Sequence, residues 1–203
     1  FYRYTQVSRE TIISLKKYEL ELIKANKSQN LVGKSTINDI WIRHFLDSAQ
    51  VIDFIDENDN SLIDLGSGAG FPGLVLAIMA KDRKIPIKIK LIEKSAKKTK
   101  FLENLIDELD LDTEVINQDI LNNQKKIFGD VFVSRAFKPL KIILELIHSY
   151  SENWKKIIIF LGKTGKTELL QASKNWDIEY KQRVSVTSND SIVVEINKLK
   201  KIN

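Results

Sequence analysis

The stretch Leu62-Ile63-Asp64-Leu65-Gly66-Ser67-Gly68-Ala69-Gly70-Phe71-Pro72-Gly73 decides how the rest of the chain reads. A short run of strand character enters a glycine-rich turn, and the apolar run Leu74 to Ala80 follows with helical length. Glycines in such a turn permit positive φ and let a ligand approach the backbone with no Cβ in the way. In a doubly wound sheet the turn lies at the carboxyl end of the first strand, where ligands bind. The pattern is G-x-G-x-G, and Phe71 stands where the dinucleotide fingerprint G-x-G-x-x-G needs its third glycine for helix-to-strand packing. No Lys-Ser or Lys-Thr pair follows, which argues against a phosphate-gripping loop as well.

Outward from this turn, short apolar runs alternate with helix-length segments from Ser61 onward, the pattern of βαβ units and a parallel sheet. Strands are predicted at 62–65, 87–93, 113–117, 130–134 and 157–161, with helices at 73–81, 96–109, 140–150 and 167–175. Segments 177–186 and 191–197, separated by Thr187-Ser188-Asn189-Asp190, read as a closing antiparallel hairpin. Two amphipathic helices precede the sheet. The first spans 8–26, with Ser8 as N-cap and Ile12, Leu15, Tyr18 and Leu22 as its apolar stripe. The second spans 37–54, with the stripe Ile42, Phe45, Ala49 and Ile52 and with Arg43, His44, Asp47 and Ser48 on the opposite face. The acidic stretch 56–60 reads as a loop, so a helical extension (1–58) precedes the sheet unit (59–203).

Composition narrows the chemistry. The 203 residues are 43% hydrophobic and 29% charged with 8 Gly and 3 Pro, which excludes collagen-like and Pro/Gly-rich disordered classes. Cysteine is absent, which removes disulfides, thiol nucleophiles and Cys-based zinc sites, and the two histidines, His44 and His148, are too few for a multi-His metal site. No metal is expected, and His148 reads as structural. The net charge of +5 suits an anionic partner such as RNA without demonstrating one. Four lysines between Lys94 and Lys100 open a helix, where cations are disfavoured unless an anionic partner offsets the penalty; a solvated face is the alternative. Lys198, Lys200 and Lys201 form a weaker basic cluster. No apolar run approaches the roughly 20 residues of a membrane helix, and no basic-then-apolar export pattern opens the chain, so a cytoplasmic monomer is expected. The sequence begins at Phe1 rather than Met, and leading residues are expected before it.

Strand ends supply the candidate site. Glu93 ends the second strand, near the place where an acid accepts hydrogen bonds from ribose hydroxyls. Asn117-Gln118-Asp119 ends the third, where an amide and a carboxylate can read an adenine edge. These residues resemble the class I S-adenosylmethionine-dependent methyltransferase fold and, more narrowly, the ribosomal RNA small subunit methyltransferase G (glucose-inhibited division protein B) family. The matching blocks are Asn30-Leu31-Val32, Trp41-Ile42-Arg43-His44-Phe45-Leu46-Asp47-Ser48, Asp64 to Gly73, Lys97-Lys98 with Phe101-Leu102, and Ser134-Arg135-Ala136-Phe137. The family's Asn-Leu-Thr is here Asn-Leu-Val, and its Lys-Gly step after the fifth strand is here Leu161-Gly162-Lys163, which puts a substrate role for Lys163 in doubt.

The resemblance implies a Rossmann-like α/β sheet, mostly parallel, with an antiparallel C-terminal hairpin and an N-terminal helical extension. It implies cofactor contacts at Gly66, Phe71, Gln118, Asp119 and Arg135, to which the glycine turn adds Gly68 and fold-level analogy adds Glu93. The implied reaction is methyl transfer from S-adenosylmethionine to N7 of a guanine in small-subunit (16S) rRNA or the 30S particle. Arg135 is the leading catalytic candidate, with Arg43 and His44 holding RNA phosphate or orienting the base. Phe71 and Phe137 are candidates for stacking on that base. An NAD-dependent oxidoreductase and a noncatalytic RNA-binding module remain the alternatives.

Overall fold

The computed structural model describes residues 1–122 and 125–202. After one helical turn at Tyr2–Thr5 (α1), the long helix Arg9–Gln29 (α2) begins where the Ser8 hydroxyl accepts a hydrogen bond from the Thr11 N–H at 3.1 Å. Its buried residues include Leu15, Tyr18 and Leu22, the predicted stripe. A broken helical segment leads through Asp47–Ala49 (α3) to β1 (Ser61–Leu65) and α4 (Gly73–Arg83). There follow β2 (Lys88–Glu93), α5 (Ala96–Leu109), β3 (Thr113–Asn117), β4 (Val131–Arg135), α6 (Leu140–Tyr150), β5 (Lys156–Leu161) and α7 (Gly165–Ala172). The hairpin β6 (Trp176–Ser185) and β7 (Ser188–Lys201) closes the chain.

The strands form one sheet of order β3-β2-β1-β4-β5-β7-β6, parallel through β5 and antiparallel in the final hairpin. Period-two alternation splits its apolar residues between two layers. Leu62, Val131, Val133, Ile158 and Val193 meet residues of α2, α4 and α5 on one side. Ile63, Phe132, Ile157, Ile159 and Val194 meet α6 and α7 on the other. Central strands buried on both faces read as near-continuous apolar runs, which explains Val131-Phe132-Val133 and Ile157-Ile158-Ile159. The reversal of winding between β1 and β4 opens the crevice at their carboxyl ends that positions the site. Among the described residues, no helix is long and apolar enough to cross a membrane.

Two expectations change, at the second helix and at the hairpin turn. The helix expected over 37–54 is instead a 3-10 turn at Ile37–Asp39, a π-helical segment at Trp41–Leu46, α3, and a second 3-10 turn at Ile52–Phe54. The wider π turn rotates the residues away from 3.6 periodicity. Ile42 therefore sits 52% exposed while Leu46 is buried, and Ser48 lies wholly inside rather than on the polar face, its hydroxyl without a partner among the described residues. The hairpin turns at Val186 and Thr187, and Ser188, Asn189 and Asp190 join β7. The acidic stretch 56–60 is the expected loop, and within it Asp59 is 2% exposed, because it holds the Lys156 ammonium at 3.0 Å and accepts from the Asp56 N–H at 2.8 Å.

Candidate active site

The crevice is a cavity of about 590 Å³, a size typical of small-molecule sites. Its floor is the glycine turn. Gly66 has φ +73°, and a Cβ there would stand 2.2 Å from the Phe137 ring. At Gly73 a Cβ would meet Leu91 at 2.4 Å and the Asp64 carboxylate at 2.6 Å. The close helix-to-strand contact that Phe71 cannot supply is thus made two residues later. The N–H groups of Gly66 and Ser67 both donate to the Ile92 carbonyl at 3.0 Å, tying the turn to the end of β2.

Glu93 stands beside that turn. One carboxylate oxygen accepts from the Gly68 N–H at 2.9 Å and the other from the Ser95 N–H at 2.8 Å. An ionised carboxylate accepts about four hydrogen bonds, so room is left for two hydroxyls of a ligand in the cavity. Gln118 and Asp119 line the same end, with Ile92 and Ile120 as apolar walls. Asn117 does not line it. Its amide donates to the Glu93 carbonyl and the Thr99 hydroxyl, each at 3.0 Å, and so splices β2, α5 and β3 together.

The other end is made by Arg135 and the π segment. One terminal nitrogen of Arg135 donates to the Arg43 carbonyl and to Asp47 Oδ2, both at 3.0 Å. The second approaches His44 Nδ1 at 2.9 Å, and the guanidinium carbon lies 5.1 Å from the Phe71 ring centroid. Arginine only donates, so Nδ1 of His44 must hold a lone pair and Nε2 carries the proton, donating to the Thr36 hydroxyl at 3.0 Å. Burial and the Arg135 charge lower the His44 pKa to about 4, which keeps this neutral tautomer in place. Three of the five guanidinium N–H donors are committed, leaving two for a ligand.

Phe71 stacks on Tyr18 at 5.3 Å and on His44 at 4.8 Å, and is 5% exposed. It lines the cavity as a fixed wall, without a free face for a base. Phe137 is partly buried and lines the cavity over Gly66. The Arg43 side chain is exposed at the rim together with Lys94 and Lys138, and Lys98 also lines the opening. Lys97 and Lys100 turn instead into the groove between α2 and α5, so the basic run divides between two surfaces. Lys163 lies off the cavity, 84% exposed and paired with Asp190 at 3.5 Å, and His148 packs its edge against Trp176 at 5.0 Å.

Several residues of this site escape sequence reasoning. Asp64 is fully buried and accepts from the Gly73 N–H at 3.0 Å, and among the described residues its Oδ1 has no hydrogen-bond partner. Burial raises its pKa to about 7. An acid within the apolar run Leu-Ile-Asp-Leu was the signal that could have found it. The Tyr18 hydroxyl donates to the Ala69 carbonyl at 2.5 Å, and Asn26 accepts from the Val32 N–H at 2.8 Å, so α2 holds two walls of the cavity. Ala136 has φ +51°, a left-handed conformation that is unusual for alanine and common at functional sites. Among the described residues no cluster of His, Asp and Glu fit to hold a metal is present.

The comparisons with known proteins point the same way. The family model described as GidB, rRNA small subunit methyltransferase G, matches residues 11–194. The chain is 40% identical over 199 residues to a protein of Pelagibacter ubique named ribosomal RNA small subunit methyltransferase G, covering 97% of this chain and 93% of that one. It is 36% identical over 197 residues to the protein of that name from Rickettsia akari, covering 97% and 99%. Two solved structures share the fold at lower identity. M. capricolum TrmK in complex with S-adenosyl-homocysteine superposes with a TM-score of 0.56 at 18% identity, covering 74% of this chain and 67% of that one. M. jannaschii TYW2 in complex with AdoMet does so with a TM-score of 0.53 at 17% identity, covering 84% and 78%. By its family match over most of its length and its identity to these relatives, the chain belongs to the rRNA small subunit methyltransferase G family.

Proposed function

We propose that the chain is an S-adenosylmethionine-dependent methyltransferase that methylates N7 of a guanine in small-subunit (16S) ribosomal RNA. The observation that carries this reading is one cavity in which the Gly66–Gly68 turn and Glu93 face the Arg135–His44 corner. The residues present fit the cofactor. Glu93 has acceptor capacity for ribose hydroxyls, and Gln118 and Asp119 bring to the same end an amide and a carboxylate suited to a purine edge. The positive-φ glycines leave the turn open to a ligand.

When bound, S-adenosylmethionine supplies a methyl group made electrophilic by its sulfonium. Guanine N7 attacks with a lone pair and loses no proton, so the chain needs no general base. What remains is orientation, which can contribute roughly 7–11 kcal/mol in well-aligned systems. Arg135 supplies it through its two uncommitted N–H donors, directed at the cofactor carboxylate, at guanine O6 or at phosphate. Positive charge passes to the purine during transfer, so a cation against N7 itself would oppose the reaction. Neutral His44 meets that requirement, because it holds Arg135 in place and adds no charge.

Arg43, Lys94, Lys98 and Lys138 ring the opening and suit the phosphates of a partner RNA, either naked rRNA or the 30S particle. On this reading the protein works as a cytoplasmic monomer. The helical extension 1–58 and the sheet unit 59–203 act together, since Tyr18, Asn26, Arg43, His44 and Asp47 from the first complete a cavity whose floor is the second. Calorimetric titration tests the cofactor: S-adenosylhomocysteine binding is expected, and NAD binding in its place would overturn the reading. Labelled methyl transfer into RNA, rather than protein or small molecules, tests the substrate.

A further inference from the structure

The C-terminal hairpin turn has no part in the cofactor end of the cavity, yet it reaches the Arg135 corner through one carboxylate. Asp47 Oδ1 accepts from the Thr187 hydroxyl at 2.7 Å, the Gln50 amide at 2.8 Å and the Ser185 hydroxyl at 3.1 Å. Its other oxygen, Oδ2, meets Arg135 at 3.0 Å. Every proton in this cluster has an acceptor. Ser185 and Thr187 each have a single hydroxyl proton, and both can be given to Asp47. The Gln50 amide nitrogen shares its two protons among Asp47 Oδ1, the Asp47 carbonyl at 2.8 Å and Ser185 Oγ at 3.1 Å; Ser185 Oγ also accepts from the Thr187 N–H at 3.2 Å, and Gln50 Oε1 accepts from the Val186 N–H at 3.1 Å. Gln50 and Ser185 are buried, 8% and 6% exposed.

Three donors on one oxygen fix the carboxylate plane and leave the other oxygen for the guanidinium. The turn that does this sits at Val186–Thr187 because Ser185 and Thr187 are captured by Asp47, not at the polar run 187–190 where turn propensity alone would put it.

We propose that Thr187, Ser185 and Gln50 lock the Asp47 carboxylate, and that Asp47 thereby aims Arg135 into the cavity, making these four positioning residues for methyl transfer. The proposal rests on the role given to Arg135 above. The antiparallel hairpin gains a role of its own, since the last strand pair of the sheet brings hydroxyl donors to a residue about 140 positions earlier in the chain.

The test uses Thr187→Val, which keeps the branched shape and removes the proton, and Thr187→Ser, which restores it. Asp47→Asn and Ser185→Ala serve as independent variants should the valine disturb folding. Two readouts apply. Arg135 faces His44 Nδ1, and the chain has two histidines, so the His44 imidazole is readily resolved by nitrogen NMR in the whole protein. In Thr187→Val, kcat is expected to fall about tenfold with KM for RNA and S-adenosylhomocysteine affinity within about twofold, and in Asp47→Asn by about a hundredfold. The His44 titration midpoint moves up in Thr187→Val, where the Arg135 charge recedes while Asp47 and Arg43 keep theirs, and Thr187→Ser returns both readouts toward wild type. Wild-type kcat and an unmoved His44 signal in Thr187→Val, Ser185→Ala and Asp47→Asn would overturn the proposal. A wild-type chain that transfers no methyl to rRNA, while His44 responds as described, would strike the functional reading and leave the Asp47 linkage standing.

Discussion

The Gly66–Glu93 end of the cavity is built largely from backbone within one βαβ unit, whereas the Arg135–Asp47 end is built from side chains drawn from three distant parts of the chain. At the first end, turn N–H groups meet the Ile92 carbonyl and the Glu93 carboxylate, and every partner lies within about one strand-turn-strand span. At the second, Arg135 of β4, Thr36, His44 and Asp47 of the helical extension, and Thr187 of the hairpin converge. The first kind of construction depends on φ and the absence of Cβ atoms. The second depends on charge, tautomer and proton count. A change at the first end should therefore damage binding, and a change at the second should damage turnover.

The sharpest contrast is expected at Arg135. Arg135→Ala should lower kcat by about 10³-fold while the fold is retained, the upper range for losing one preorganised donor group. Activity within a factor of two of wild type, measured by labelled methyl transfer, would remove its role. Gly66→Ala should act on the opposite quantity. Its Cβ would fall 2.2 Å from Phe137 at φ +73°, so S-adenosylhomocysteine affinity should drop about a hundredfold by calorimetry. Glu93→Gln, which keeps the shape and removes the charge, should weaken the same affinity about tenfold and leave kcat nearer its wild-type value.

Acidity separates the two ends more gently. His44 titrates near 4 in the folded protein against 6.5 as a free side chain, so the unfolded chain binds the extra proton between those values. Its contribution to stability is therefore full above about pH 6.5 and lost as pH falls toward 4. Asp64 has the opposite sign. With its folded pKa raised to about 7 from 3.8, stability falls as pH rises through that interval. Denaturant melts at a series of pH values should show the acid-side loss diminished in His44→Gln and the alkaline-side loss diminished in Asp64→Asn. The smallest effect is expected at Lys163, which lies outside the cavity: Lys163→Ala should keep transfer within about twofold.

Sequence reasoning reads the two ends unequally for the same physical reason. Gly66, Gly68, Glu93, Gln118 and Asp119 sit at strand ends whose order follows from alternating apolar runs, and all of them line the cavity. Arg135, Arg43 and His44 line it too, but a family resemblance singles them out, not local pattern. The pairing of Arg135 with Asp47 is invisible locally, because periodicity places Asp47 beside Arg43 and says nothing of a strand end 88 residues away. The π segment hides Ile42 and Ser48 in the wrong places for a related reason. A regular 3.6 period assumes the turn width that this segment abandons. Likewise Asp59, within a stretch legible only as a loop, is drawn inside by Lys156, and only tertiary structure supplies that partner.

The measurement that tests the central claim most directly is the identity of the nucleoside modified after incubating the protein with labelled S-adenosylmethionine and either small-subunit rRNA or 30S subunits. Mass analysis of the digested RNA should find the methyl group on 7-methylguanosine. Label on a different base or on ribose, or in protein with none in RNA, would contradict the account.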